Sequence, residues 1–159
     1  QFVERLAHHF SEFNAVHPFR EGNGRATREF FAQLSKEAGY ELDQTRIRND
    51  AGQWNRASAA AFKGDPQPLK QILDYVVRPE RAVAFERDAP ADALRTHPEL
   101  KGAFMTLKAA EVYAASAVGD QAARAAFMTQ IRARISGTLH AGQLVDEPKT
   151  KTHEQGRDR

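Results

Sequence analysis

Residues 17–28 bring together the side chains that phosphate chemistry requires. Arg25 and Arg28 are three positions apart, and in a helix this spacing puts both guanidinium groups on one face, where they are able to bind a polyphosphate. Glu21 supplies the hard carboxylate oxygens that hold Mg²⁺ together with phosphate oxygens. Histidine titrates near neutral pH, so His17 is a candidate to accept a proton from an attacking hydroxyl. The segment therefore predicts a site at which Mg²⁺, a polyphosphate and a histidine base act together.

The same segment interrupts a helical pattern, because Pro18, Gly22 and Gly24 disfavour a helix interior. A second helix is expected to begin near Arg25, directly after the glycines. A helix N-terminus presents backbone N–H donors and the positive end of the helix dipole, and glycine lets the backbone approach a phosphate closely. Phe19 stands between polar neighbours and is expected to fix the loop by packing into the core. Each feature is common alone, but together they predict an anion site between two helices.

The segment resembles the signature of the Fic family, which reads His-x-Phe-x-(Asp/Glu)-Gly-Asn-Gly-Arg-x-x-Arg. The defined positions are all matched, by His17, Phe19, Glu21, Gly22, Asn23, Gly24, Arg25 and Arg28. The flanks agree, because an aromatic-rich helix, a loop and a second helix follow one another in Fic domains. The resemblance extends over roughly residues 1–78. It implies a protein adenylyltransferase that transfers AMP from Mg-ATP to a Ser, Thr or Tyr hydroxyl of a target protein.

The resemblance also implies a role for each residue of the signature. His17 would deprotonate the attacking hydroxyl, and Glu21 would bind the Mg²⁺ that bridges the α- and β-phosphates. Asn23 would steady the α-phosphate, Arg25 would hold the β- and γ-phosphates of the leaving pyrophosphate, and Arg28 would reach the γ-phosphate. The implied catalytic residues are His17, Asn23 and Arg25, and the metal ligand is Glu21. The implied nucleotide-binding residues are Phe19, Gly22, Asn23, Gly24, Arg25 and Arg28.

The signature leaves two other functions open. A related enzyme with the same loop transfers UMP, phosphate or phosphocholine when the donor is oriented differently. Alternatively, the chain is a catalytically silent helical module for binding or secretion. An inert loop has no chemical need for all the defined positions at once, so the adenylyltransferase hypothesis is preferred.

Two features of Fic proteins are not matched. Fic domains usually carry a β-hairpin, the flap, ahead of the signature, and because Gln1 lies inside an amphipathic pattern, we expect the flap region to be missing upstream. The inhibitory pattern (Ser/Thr)-x-x-x-Glu-(Gly/Asn) is approached only at residues 150–154, where Gln155 follows instead of Gly or Asn. We interpret this as coincidence. Inhibition would then come from the missing upstream part or from a small separate protein.

Apolar residues recur at helical spacing along most of the chain, and no strand alternation stands out. The predicted fold class is all-α, a Fic-like helical bundle with a C-terminal helical hairpin. We expect residues 1–78 to form the C-terminal part of a Fic catalytic core, 79–95 a linker or short helices, 96–145 the hairpin extension and 146–159 a disordered tail. The hairpin is similar to segments that follow Fic domains in conjugation and type IV secretion proteins. It serves either docking and delivery or the completion of the core.

Local patterns give sharper expectations for single helices. The helix that begins near Arg25 is expected to bury Phe30, Phe31 and Leu34. One continuous helix is expected over residues 46–63, with Trp54 and Phe62 in its apolar stripe. Residues 96–99 resemble a capping box, and Asp120 follows a glycine as the N-cap of the last helix.

Composition is that of an ordinary globular domain, with 41% hydrophobic and 28% charged residues among 159. The net charge is only +2, so the basic pI is not evidence for nucleic-acid binding, and no nucleic-acid partner is expected. The chain has no cysteine and therefore no disulfide, which fits a reducing compartment. No apolar stretch approaches the roughly 18 residues of a membrane span. The expected location is the cytoplasm, or a host or recipient cell into which the protein is secreted as a toxin or effector.

Overall fold

A computed structural model describes residues 1–16 and 20–148 of the chain. Across these residues there are nine α-helices and one sheet of two short strands, which confirms the all-α fold class. The chain divides into two compact units, Gln1–Val83 and Ala84–Arg159. In the described ranges, no helix has both the length and the apolar character that crossing a membrane requires.

The first unit is a helical bundle with a small sheet. Its elements are α1 (Phe2–Val16), α2 (Asn23–Glu37), β1 (Tyr40–Leu42), α3 (Gln44–Asn49), α4 (Ala51–Phe62), α5 (Gln67–Val76) and β2 (Val77–Pro79). β1 and β2 pair in antiparallel fashion, with Tyr40 beside Pro79. Helix α1 contacts α2, α4 and α5, and thereby lies at the centre of the unit. The two strands were not predicted, because three residues are too few to display an alternating pattern.

Aromatic side chains connect the helices around α1. The ring of Phe10 lies 5.1 Å from that of Phe31 in α2 and 5.1 Å from that of Trp54 in α4. All three side chains are buried, as are Leu69 and Leu73 of α5. Contact among rings of this size contributes both buried apolar area and favourable edge-to-face geometry. This core holds α1 and α2 together.

Helix α2 buries a narrower face than expected. Phe31 is fully buried, and so are Thr27 and Ser35, which lie one helical turn before and one turn after it. Phe30 and Leu34 lie on the neighbouring stripe and are 46% and 41% exposed, so the prediction that they are buried is wrong. Spacing of three or four residues identified the apolar stripe, but not how much of it a partner covers.

The helix predicted over residues 46–63 is two helices. The break occurs at Asp50, whose carboxylate accepts a hydrogen bond from the Gln53 N–H at 3.1 Å and so begins α4. Aspartate is a preferred N-cap, and its bond to the backbone competes with continuation of α3. Trp54 is 3% exposed and lies in the core, as predicted, whereas Phe62 at the end of α4 is 61% exposed, contrary to prediction.

The second unit contains a helical hairpin. Helix α6 (Glu80–Arg87) begins in the first unit and ends in the second, and it is followed by α7 (Pro90–Thr96), a 3-10 turn at Pro98–Leu100, α8 (Lys101–Ala117) and α9 (Gln121–His140). Helices α8 and α9 contact each other. Small and apolar side chains fill the buried side of α8, among them Ala103, Leu107, Ala110 and Ala114.

Of the two predicted caps in this unit, one is confirmed. The Asp120 carboxylate accepts the Ala123 N–H at 2.8 Å and begins α9. The capping box at residues 96–99 is wrong, because Thr96 ends α7 and its hydroxyl donates to the Ala93 carbonyl at 3.3 Å. The carboxylate of Glu99 instead lies 3.2 Å from Nδ1 of His97.

The four predicted domain boundaries stay a prediction. The range 79–95 contains α6 and most of α7, and the range 96–145 contains the hairpin. Of the tail, residues 149–159 lie outside the described residues, together with the inhibitory-pattern match at 150–154. Glu147 is described, and its carboxylate lies 2.9 Å from Nζ of Lys101.

Candidate active site

The site begins at a left-handed glycine. Gly22 has φ of 80° and is the N-cap residue of α2. Its carbonyl accepts both the Arg25 N–H and the Ala26 N–H at 3.0 Å. A side chain is strained at this φ, so glycine lets the chain turn sharply into the helix. The Gly24 N–H is among the first of the helix and has no carbonyl acceptor within it.

Both signature arginines lie against this turn. A Cβ atom placed on Gly22 would be 3.7 Å from a guanidinium nitrogen of Arg25, and one placed on Gly24 would be 3.7 Å from a guanidinium nitrogen of Arg28. Each side chain therefore folds back toward the start of its own helix. Within residues 1–16 and 20–148, neither arginine forms an ion pair.

The electrostatics of the turn favour an anion. The first turn of α2 contains no acidic residue, and no side chain caps it. A helix N-terminus carries roughly half a positive charge, so two guanidinium groups beside it add repulsion unless a negative group binds there. Backbone donors, dipole and arginines therefore act in the same direction, toward a phosphate or another anion.

Asn23 and Glu21 flank the glycine at different depths. Asn23 is the first residue of α2 and is 7% exposed, so it is part of the packed turn. Glu21 is exposed and directly precedes Gly22. Over the described part of the chain, no group of three or more His, Asp or Glu side chains could hold a metal ion. Mg²⁺, however, commonly binds through one or two carboxylates plus substrate phosphates, and Glu21 beside an anion site fits that donor set.

Two residues of the predicted site are not placed. His17 and Phe19 lie outside the described residues, so their roles stay predictions. The structure brings together the remaining six at the start of α2: Glu21, Gly22, Asn23, Gly24, Arg25 and Arg28. The roles assigned to these six within the reaction also stay predictions.

An open cavity of about 430 Å³ lies beside the arginines. Its lining includes Arg25 and Arg28, and also three residues that the sequence did not single out, Glu29, Gln44 and Arg48. Glu29 is one turn after Arg25, so helical spacing would have identified it. Gln44 and Arg48 belong to α3, and no local pattern links α3 to the loop.

Glu29 is held by two amides. Its carboxylate accepts hydrogen bonds from Gln44 Nε2 at 3.1 Å and from Gln33 Nε2 at 3.3 Å. The bond from Gln44, and secondly that from Gln33, lowers the pKa of Glu29 because both favour the charged form. The Gln44 bond also joins α3 to α2 at the cavity.

Comparison with known proteins supports the interpretation of the loop. Residues 1–35 match the sequence model of the Fic/DOC family. Probable protein adenylyltransferase Fic of Escherichia coli (strain K12) is 47% identical over 77 residues, which are 48% of this chain and 38% of the relative. The protein of that name from Salmonella typhimurium is 41% identical over 81 residues, 51% of this chain and 40% of the relative.

A further relative is protein adenylyltransferase VbhT of Bartonella schoenbuchensis, which is 40% identical over 73 residues, 46% of this chain and 15% of the relative. The chain thus spans less than half the length of these relatives. No solved structure matches the chain. The resemblance carried by the signature is confirmed by these matches.

Proposed function

We propose that this chain, which carries a segment of the Fic/DOC family, transfers AMP from Mg-ATP to a Ser, Thr or Tyr hydroxyl of a target protein. The observation that carries the proposal is the pair of guanidinium groups folded over Gly22 and Gly24 at the uncapped start of α2. The relatives described above are named protein adenylyltransferases, which supports AMP as the transferred group.

The first part of the proposal concerns phosphate binding. The turn at residues 22–24 holds the α-phosphate through backbone N–H groups, and Asn23 steadies it as negative charge develops. Arg25 binds the β- and γ-phosphates, and Arg28 reaches the γ-phosphate from one turn further along α2. These contacts orient the α-phosphorus for in-line attack and stabilise the leaving pyrophosphate.

The second part concerns proton transfer. His17 accepts the proton of the target hydroxyl while its oxygen bonds to the α-phosphorus. The bond from that phosphorus to the oxygen bridging to the β-phosphate breaks, and pyrophosphate leaves. Glu21 would hold Mg²⁺, which would neutralise charge on the phosphates.

Incorporation of labelled AMP into protein tests the proposal. The chain is incubated with Mg²⁺, ATP labelled on the α-phosphate and a bacterial lysate, and the label is followed into protein bands. We expect His17→Ala to abolish labelling, because the attacking hydroxyl loses its base. His8→Ala is the matched control, since His8 is an exposed histidine of α1 outside the site.

The outcomes separate the candidate functions. Label transferred equally well by the His17→Ala variant would refute the assigned base. Mass spectrometry of the modified protein then identifies the adduct, and UMP, phosphate or phosphocholine in place of AMP would assign the loop to a different donor. A chain that neither labels protein nor binds ATP would favour the silent binding or secretion module.

Regulation and location belong to the same proposal. An acidic side chain of a small inhibitory protein would pair with Arg28 and displace the γ-phosphate, because a carboxylate and a phosphate compete for one guanidinium. The enzyme acts in the cytoplasm or, as a secreted toxin or effector, in a host or recipient cell. Fractionation of cells that produce the tagged protein distinguishes these two locations.

A further inference from the structure

The cavity beside the signature arginines contains a third arginine. Arg48 of α3 lines it together with Arg25, Arg28 and Glu29 of α2. The lining thus carries three positive charges and one negative charge. Throughout the described ranges, Arg48 has no ion-pair partner, and the same holds for the two signature arginines. The excess of positive charge over the cavity is therefore not neutralised by the protein.

Glu29 does not remove this excess. Its oxygens accept hydrogen bonds from Gln44 and Gln33, and among the described residues the carboxylate forms no ion pair with a guanidinium. One carboxylate also balances only one of the three arginines. The net positive charge of the lining therefore favours the binding of an anion in the cavity.

The position of Arg48 is fixed by its own helix. One of its guanidinium nitrogens, Nη2, donates to Thr45 Oγ1 at 3.0 Å. Helix α3 is in turn anchored by Asp43, whose carboxylate accepts the N–H groups of Thr45 and Arg46 at 3.1 Å each, and by buried Ile47. A hydroxyl acceptor orients the guanidinium without neutralising it, so Arg48 keeps its charge and its remaining donors for a ligand.

We propose that Arg48 is a third polyphosphate-binding residue, which contacts the end of the phosphate chain remote from the transferred group. The inference rests on the proposed function, because that function places the phosphates of ATP at Arg25 and Arg28. Arg48 lines the same cavity from a separate element, so it selects donors with a long phosphate chain over a nucleoside monophosphate.

Calorimetry on the 159-residue chain tests this assignment, with ATP, AMP and inorganic tripolyphosphate as separate probes at low salt. We expect Arg48→Gln to weaken ATP and tripolyphosphate binding about tenfold, the size of one charge-assisted hydrogen bond, and to leave AMP binding within about twofold. Arg56→Gln is the matched control, because Arg56 is an exposed arginine of α4 that does not line the cavity.

The probes separate failure of this inference from failure of the proposed function. Unchanged ATP and tripolyphosphate affinity in Arg48→Gln overturns the role of Arg48 and leaves AMP transfer standing. Equal losses of affinity for ATP and AMP also overturn it, because Arg48 would then not distinguish ligands by the length of their phosphate chain. Arg48-dependent binding of tripolyphosphate by a chain that does not bind ATP supports the anion site and counts against the nucleotide donor. A chain that binds neither polyphosphate overturns both.

Discussion

Two helices of this protein begin in opposite ways. Helix α9 begins at Asp120, whose carboxylate accepts the Ala123 N–H at 2.8 Å. Helix α2 begins at Gly22, with no side-chain cap, no acidic residue in the first turn and two arginines folded back over the turn. The first arrangement satisfies the helix N-terminus from within the chain. The second leaves donors and positive charge available to an anion from outside.

Two other helices of the first unit begin with a side-chain cap that α2 lacks. Helices α3 and α4 begin at Asp43 and Asp50, whose carboxylates accept backbone N–H groups as Asp120 does. Helix α5 has a proline in its first turn, which removes a donor. Helices α5, α7 and α8 also begin without a side-chain cap, so what distinguishes α2 is the pair of arginines folded back over its first turn. Two cations at the positive end of a helix lower stability and are expected where a ligand completes the site.

The largest effect on activity is expected from a substitution in the first turn of α2, which has no side-chain cap. Arg25→Ala should slow AMP transfer about 100-fold, because it removes a donor directed at charge that develops in the transition state. The melting temperature of the Arg25→Ala variant should not fall, because the substitution also removes a cation from the positive end of a helix. Labelling rates and thermal unfolding of Arg25→Ala and of Arg56→Ala, an exposed control on α4, measure both effects. If Arg25→Ala were as active as Arg56→Ala, Arg25 would have no role in the reaction.

Substitution of the N-cap of α9 should have the opposite pattern of effects, with a loss of stability and no change in activity. Asp120→Ala is expected to lower the free energy of unfolding by about 1 kcal/mol, the usual value of an N-cap, and to leave the rate of AMP transfer unchanged. Urea denaturation followed by circular dichroism gives the stability. Asp120→Asn is the control, because asparagine caps a helix equally well. If both variants lose the same stability, the cap is not the cause.

The smallest effect comes from making α2 resemble α9. Ala26 is exposed in the first turn of α2 and lines the cavity, so Ala26→Glu supplies the missing negative charge. We expect about 0.5 kcal/mol of added stability from the helix dipole together with weaker ATP binding. Thermal unfolding and calorimetry measure the two quantities, with Ala26→Gln as the uncharged control. ATP affinity that is equal in the Glu and Gln variants would show that the turn is not an anion site.

Much of the candidate site was predictable because its residues are close in sequence. The helix that follows the loop and the position of Arg25 and Arg28 on one face both depend on local geometry. The cap at Asp120 was predictable for the same reason, since a capping carboxylate contacts N–H groups within three residues. The capping box at residues 96–99 failed even locally, because the Thr96 hydroxyl found acceptors in the preceding turn of α7.

Errors in burial have a different origin. Phe31 is buried while its neighbour Phe30 is half exposed, although both lie on the apolar side of α2. Periodicity defines the direction in which an apolar stripe points, but the width that is covered depends on which helices pack against it. That information is distributed over α1, α2 and α4, and no short segment contains it.

The chemistry predicted for the loop thus depends on residue types and spacings within residues 17–28, because a helix N-terminus and its side chains are set by local backbone geometry. The wall of the cavity was decided only by tertiary structure. Gln44 reaches Glu29 across fifteen positions of sequence, and Arg48 reaches the same cavity through packing of α3 rather than through any motif. Contacts of that kind depend on the summed burial of the whole unit, which no local pattern encodes.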